Sequence, residues 1–204
     1  MKVVCAAALV ALAALSGATV IRAQDATTAE KESAIKYLET TRKNIEEATK
    51  GLSAEQWNFK PGPDRWSVAE VMEHIAAAED FLRDGLIQQQ VMKAAAPPDR
   101  DVKKIDEGIM SHVPDRTQKA KAPDALVPTN RFESPEGSLK HFEESRNKTE
   151  EFLKGTPALR AHAIDGPFGQ KLDAYDWVLF LAAHSERHTK QILEVKADPN
   201  FPKS

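Results

Sequence analysis

The sequence predicts an all-α protein, a four-helix bundle whose second and third helices are joined by a long crossover. Three observations carry that expectation. Four long segments repeat apolar residues at helical spacing, no segment alternates as a strand would, and about forty residues separate the second segment from the third.

The first helix is expected over residues 28–50, where Ile35, Leu38 and Ile45 recur at helical spacing and Gly51 marks the stop. A short capped turn at 53–56 interrupts the link to the second helix. That helix starts at Ser67. Ser67 and Glu70 form a capping box, and Trp66 and Val71 occupy the positions of a hydrophobic staple. It is expected to continue to Val91 or Lys93, before Pro97 and Pro98 forbid more helix. The third opens at Ser134 and Pro135, carries Leu139, Phe142, Phe152 and Leu153, and ends at Gly155. The fourth opens at Asp173 and runs to about Lys196. The link over residues 94–133 is rich in Pro, Asp and Lys. Its length reads as a crossover or a functional flap, with a short helix expected at 101–112.

Composition narrows the function classes. Residues 1–23 begin with Lys2, continue as an apolar run and end at Ile21-Arg22-Ala23, the order of a cleavable secretory signal peptide. The expectation is a secreted or periplasmic protein with one domain over 24–204 and no stable membrane insertion after cleavage. A retained anchor is the alternative, since the run is almost long enough to span. The whole chain has a net charge of −3. Loss of Lys2 and Arg22 leaves 26 basic against 31 acidic residues, a charge of −5. That balance, without basic runs, offers no footprint for nucleic acid. Cys5 is the only cysteine, so a cleaved product would bind metals through nitrogen and oxygen alone.

The candidate site is built from histidines. On a helix of 3.6 residues per turn, Trp177, Leu181, His184, His188, Ile192 and Val195 share one stripe. In the second helix, Ser67, Val71, His74, Ala78 and Leu82 do the same. One inward histidine is usually a satisfied core residue. Three would each cost roughly 1–3 kcal/mol if unpartnered, and a shared cation satisfies all of them. Depth gives an independent check. His74 lies roughly 10 Å inside its helix, and the His184–His188 pair about 15 Å from the end of the fourth, so antiparallel packing brings the trio to similar height.

His184-Ser185-Glu186-Arg187-His188 is not a zinc-protease motif. Glu186 stands one residue late and about 200° around the helix from His184. Glu186 is expected as a surface charge paired with Lys190, and Ser185 as a bystander. His141, His112 and His162 are expected at solvated or loop positions. No general base is legible, since Glu73 points about 100° from His74 and Glu79 about 140°, toward the rim.

The stretch LSAEQWNFKPGPDRWSVAEVMEHIAAAEDFL, with LAAHSERHTKQI on the last helix, resembles the DinB/YfiT-like metalloenzyme family. The resemblance implies up-down-down-up helix order and a divalent metal held by His74, His184 and His188 near one end of the bundle. It also implies, by analogy alone, pairing into a homodimer. Some members of that family are thiol-dependent transferases or isomerases using bacillithiol, mycothiol or related thiols. The export pattern argues against that chemistry here, because such thiols are chiefly cytoplasmic. Imidazole ligands leave zinc, nickel and iron as candidate metals.

Two leading function classes follow. One is an exported metal-dependent hydrolase or transferase acting on a small molecule of unknown identity. The other is a non-catalytic periplasmic binding or interaction module whose metal is structural or absent. A third reading has no metal, with the histidines hydrogen-bonded in the core.

Overall fold

A computed structural model describes residues 25–167 and 169–203. The expected leader at 1–23 lies outside them. Six α-helices are present among these residues: α1 (Thr28–Thr49), α2 (Ala54–Asn58), α3 (Val68–Asp80), α4 (Val102–His112), α5 (Pro135–Gly155) and α6 (Ala174–Lys196). The four long patterns correspond to α1, α3, α5 and α6. The short helices α2 and α4 occupy the capped turn and the middle of the crossover.

Local chemistry explains the boundaries. Thr27, Ser53, Ser67 and Asp173 each close a capping box on the helix that follows. Asp101 caps α4 through the Lys104 amide at 3.1 Å, and Ser134 caps α5 through the Gly137 amide at 3.0 Å. Gly51 follows α1 with φ +67°, a left-handed position that a Cβ disfavours, so the chain turns there.

Two elements differ from the sequence expectation. The second helix does not stay α-helical to Val91: after Asp80 it continues as a π-helix over Phe81–Gln88, then a 3₁₀ turn over Val91–Lys93. The wider π turn places Leu82, Ile87 and Val91 on the core side at spacings of five and four. A β-hairpin also precedes α6, with β1 (Ala163–Asp165) antiparallel to β2 (Lys171–Asp173) and Ile164 opposite Leu172. Strands of three residues are too short to display an alternating pattern.

Packing fixes the helix directions. Tyr175 on α6 donates to the carbonyl of Glu30, and Lys196 to that of Ala48, so α1 and α6 run alongside in the same sense. Val68 and Val71 at the start of α3 share an apolar cluster with Ile192 and Val195 at the end of α6, so those two run antiparallel. Phe142 joins the same cluster while Leu153 lies with Leu82 and Ile87, so α5 runs with α3.

Between the two apolar clusters lies a polar layer contributed by all four long helices. Arg146 on α5 is fully buried and uses all five of its N–H groups. It donates from Nε to Glu79 at 2.7 Å, and from Nη1 to the Leu38 carbonyl and Thr41 at 2.8 and 2.9 Å. From Nη2 it reaches Glu79 again, and Ser185 at 2.7 Å. Thr149 donates to the other oxygen of Glu79 at 3.0 Å. Glu79 is therefore a core residue, not a rim one, and Ser185 is an acceptor in the bundle's centre rather than a bystander.

A second charged cluster anchors the crossover. Arg160 bonds Asp106 on α4 and Glu30 on α1, both at 2.8 Å, and reaches Asp173 and Asp176 at the start of α6. Arg100 also holds Asp173, and Asp176 at 2.7 Å. No helix among the described residues is long and apolar enough to cross a membrane.

Candidate metal centre

Antiparallel packing of α3 against α6 brings His74, His184 and His188 together, with one ligand atom from each lying within 4.8 Å of the others. His74 and His188 are buried, at 3% and 8% exposure, while His184 is half-buried.

Hydrogen bonding decides which nitrogens are free. His74 Nδ1 lies 2.9 Å from the Leu126 carbonyl, and His188 Nδ1 lies 2.8 Å from Gln191 Oε1. Both partners are oxygen acceptors, so Nδ1 must be the donor, and the neutral rings present unprotonated Nε2 atoms. The amide of Gln191 is itself oriented by Arg116, whose Nη1 donates to the same Oε1 at 3.3 Å. His74 Nε2 and His184 Nε2 stand 3.2 Å apart. Two nitrogens bound tetrahedrally at about 2.0–2.1 Å from one ion would be separated by roughly 3.3 Å. The nitrogen donor set and the spacing of this pair therefore fit a divalent transition metal.

Charge state agrees. Burial pushes the pKa of His74 below its ordinary value, with Arg131 adding to the effect and the Leu126 carbonyl opposing it. His184 is pushed well below by burial, then by His74, Arg187 and Arg146. His188 follows the same pattern, with burial first and then the other two histidines. Neutral imidazole is the form that ligates metal. Trp66 packs beside His74 with ring centroids 5.0 Å apart, and Phe180 stacks near His184 at 6.3 Å, so aromatic walls shield the site.

The crossover completes the surroundings. Its end docks on α3 through Glu73, which accepts the amides of Thr129 and Asn130 at 2.6 and 2.8 Å and the side chain of Arg131 at 2.9 Å. That clasp holds the turn Asp124–Leu126 whose carbonyl orients His74. On the other flank, Arg187 of α6 donates to the carbonyls of Val113, Asp115 and Gln118, and Arg116 grips Glu194 at 2.7–2.8 Å. Residues 113–131 thus bridge α6 to α3 around the histidines.

The remaining histidines lie elsewhere. His141 is not simply solvated: it meets Asp80 at 2.6 Å and stacks on Phe132 at 4.4 Å. His162 bonds the Ala94 carbonyl at 2.6 Å, and His112 closes α4. Glu186 pairs with Lys190 at 2.8 Å as expected, and also accepts from Tyr37 at 2.7 Å. Glu73, Arg116, Arg131 and the Leu126 carbonyl carry no sequence signal for the site, because their roles depend on where the crossover lands.

The model of the DinB superfamily matches residues 37–192. The chain belongs to the DinB superfamily. Among its relatives is the uncharacterized protein YuaE of Bacillus subtilis (strain 168), 28% identical over 151 residues, covering 72% of this chain and 87% of YuaE. A similar solved structure is YfiT from Bacillus subtilis, described as a probable metal-dependent hydrolase with an unusual four-helix bundle topology. It superposes with a TM-score of 0.55 at 16% identity, over 88% of this chain and 93% of that one, and so supports the four-helix bundle fold.

Proposed function

We propose that this protein is an exported, metal-dependent hydrolase or transferase of the DinB superfamily, with a divalent transition metal on His74, His184 and His188. The carrying observation is the convergence of three neutral imidazoles from α3 and α6, two of them with Nδ1 committed to fixed oxygen acceptors. Zinc, nickel and iron all suit this nitrogen set. His74, His184 and His188 would hold the ion, which would supply Lewis-acid chemistry at a position the three ligands leave open. The description of YfiT as a probable metal-dependent hydrolase supports the same reading. Export rests on the pattern of residues 1–23.

The chain's own groups bind and orient. The Leu126 carbonyl and Gln191 fix the imidazole planes, Trp66 and Phe180 flank the rings of His74 and His184, and the bridge over 113–131 closes the flank. Neither nearby glutamate is free to take a proton. Glu73 is occupied by the 129–131 loop and Glu79 by Arg146. That observation favours the second reading, a periplasmic binding module with a structural metal.

Turnover on ester and thiol-conjugate panels separates the two. Activity lost in His188→Ala and returned to chelated wild-type protein by added metal supports the enzyme; a metal-loaded protein inert on every panel supports the binding module.

A further inference from the structure

We infer that the metal centre is built to receive an oxyanion, a carboxylate or phosphate group of its substrate, with Arg187 as the recognising side chain. The inference rests on the metal-centre reading and names the substrate class for it.

Position comes first. Arg187 lies three residues after His184 and one before His188. Arg187 and Gln191 therefore form a stripe about 60° around α6 from the histidine pair, on the flank that residues 113–118 cover. Among the described residues no carboxylate is within ion-pair distance of Arg187. It is held only by the carbonyls of Val113, Asp115 and Gln118. Nη1 spends both hydrogens on Val113 and Asp115, and Nη2 spends one on Gln118. Nε–H and the second Nη2 hydrogen have no partner among the described residues. That Nε/Nη2 edge is the one by which Arg116 grips Glu194, and it matches two oxygens of a carboxylate or phosphate.

The surroundings agree in sign. Arg116, Arg131 and Arg187 lie on the bridge and on the α6 flank beside the histidines, with Arg65 reaching Glu194, against Glu73 and Glu194, with Asp115 turned to Thr117 at the surface. Even with Asp115 counted, this rim is cationic in a chain whose net charge is −3, before any ion is bound. A rim of net positive charge attracts anions.

The test uses cobalt-loaded protein and follows its visible absorption during titration with inorganic phosphate. Imidazole, a neutral ligand for the same ion, is titrated in parallel. Phosphate is expected to shift the cobalt bands. In Arg187→Gln its dissociation constant should rise by about tenfold while imidazole binds as in wild type. A structural role for Arg187 would weaken both ligands alike and overturn the assignment. So would wild-type protein with no phosphate response, or a variant with unchanged phosphate affinity. Cobalt that fails to bind at all would overturn the metal-centre reading, and this inference with it.

Discussion

Glu73→Gln tests whether the crossover positions His74. In the native protein one carboxylate oxygen accepts from the Thr129 amide and Arg131 Nε, and the other from the Asn130 amide at 2.8 Å. Glutamine keeps one acceptor but points an NH₂ at a backbone N–H, and leaves Arg131 without a counter-charge. A lost charge-assisted bond of this kind costs on the order of 1.5–3 kcal/mol. For a domain of this size that lowers the melting temperature by roughly 3–12 °C. The functional effect travels through the Asp124–Leu126 turn. Once the Leu126 carbonyl no longer holds Nδ1, His74 loses its fixed orientation, and disturbed outer partners typically weaken a metal by about 10–100-fold. Competition with a chromophoric chelator measures that affinity, and thermal unfolding of the metal-free protein measures the stability change. A variant with a lowered melting temperature but wild-type metal affinity would refute the claim that the crossover orients His74.

Two further outcomes follow from the buried charges. Arg146→Met strands Glu79 in the core and should destabilise the protein by about 3–5 kcal/mol, whereas Arg146→Met with Glu79→Leu should recover much of that; chemical denaturation distinguishes them. The second concerns pH. Burial, with Asp106 for Asp176 and Asp176 for Asp173, raises both carboxyls to about 6, and burial raises Asp106 as well. Acids raised in the fold retain protons that the unfolded chain has released, so this cluster's contribution is fully present below about pH 4 and is lost as pH rises through 6. The loss is on the order of 1–3 kcal/mol. Glu73, Asp80 and Glu194, held low by hydrogen bonds and arginines, act oppositely in more acidic solution. Asp106→Asn should flatten the melting temperature between pH 4.5 and 6.5; an unchanged slope would remove the cluster from the explanation.

Much of the bundle is legible in the sequence, for reasons that particular residues show. Ser67 with Glu70 and Asp173 with Asp176 satisfy helix ends locally, so the starts of α3 and α6 can be read without knowing the fold. The histidine stripe is equally local. His184 and His188 are one turn apart, and antiparallel packing supplies His74. The π-helix is not legible, because the wider turn after Asp80 is selected by packing of Leu82 and Ile87 against α6 and not by residues 81–88 alone. The placements of Glu79 and Ser185 are not legible because helix angle alone cannot register Arg146, which arrives from α5 and makes a buried polar layer favourable. The Leu126 carbonyl is beyond sequence reasoning altogether, since any residue has a carbonyl and only the landing of the crossover selects this one.

Elemental analysis of purified protein, with Zn²⁺ or Ni²⁺ titration followed by thermal unfolding, bears most directly on the histidine centre. About one metal ion per chain is expected in wild type and little in His74→Ala or His184→Ala. Free metal at 100 times the dissociation constant should stabilise wild type by about 2.7 kcal/mol, a rise of roughly 5–10 °C in melting temperature. Substoichiometric metal in wild type, with no rise on adding either ion, would contradict the metal-centre reading.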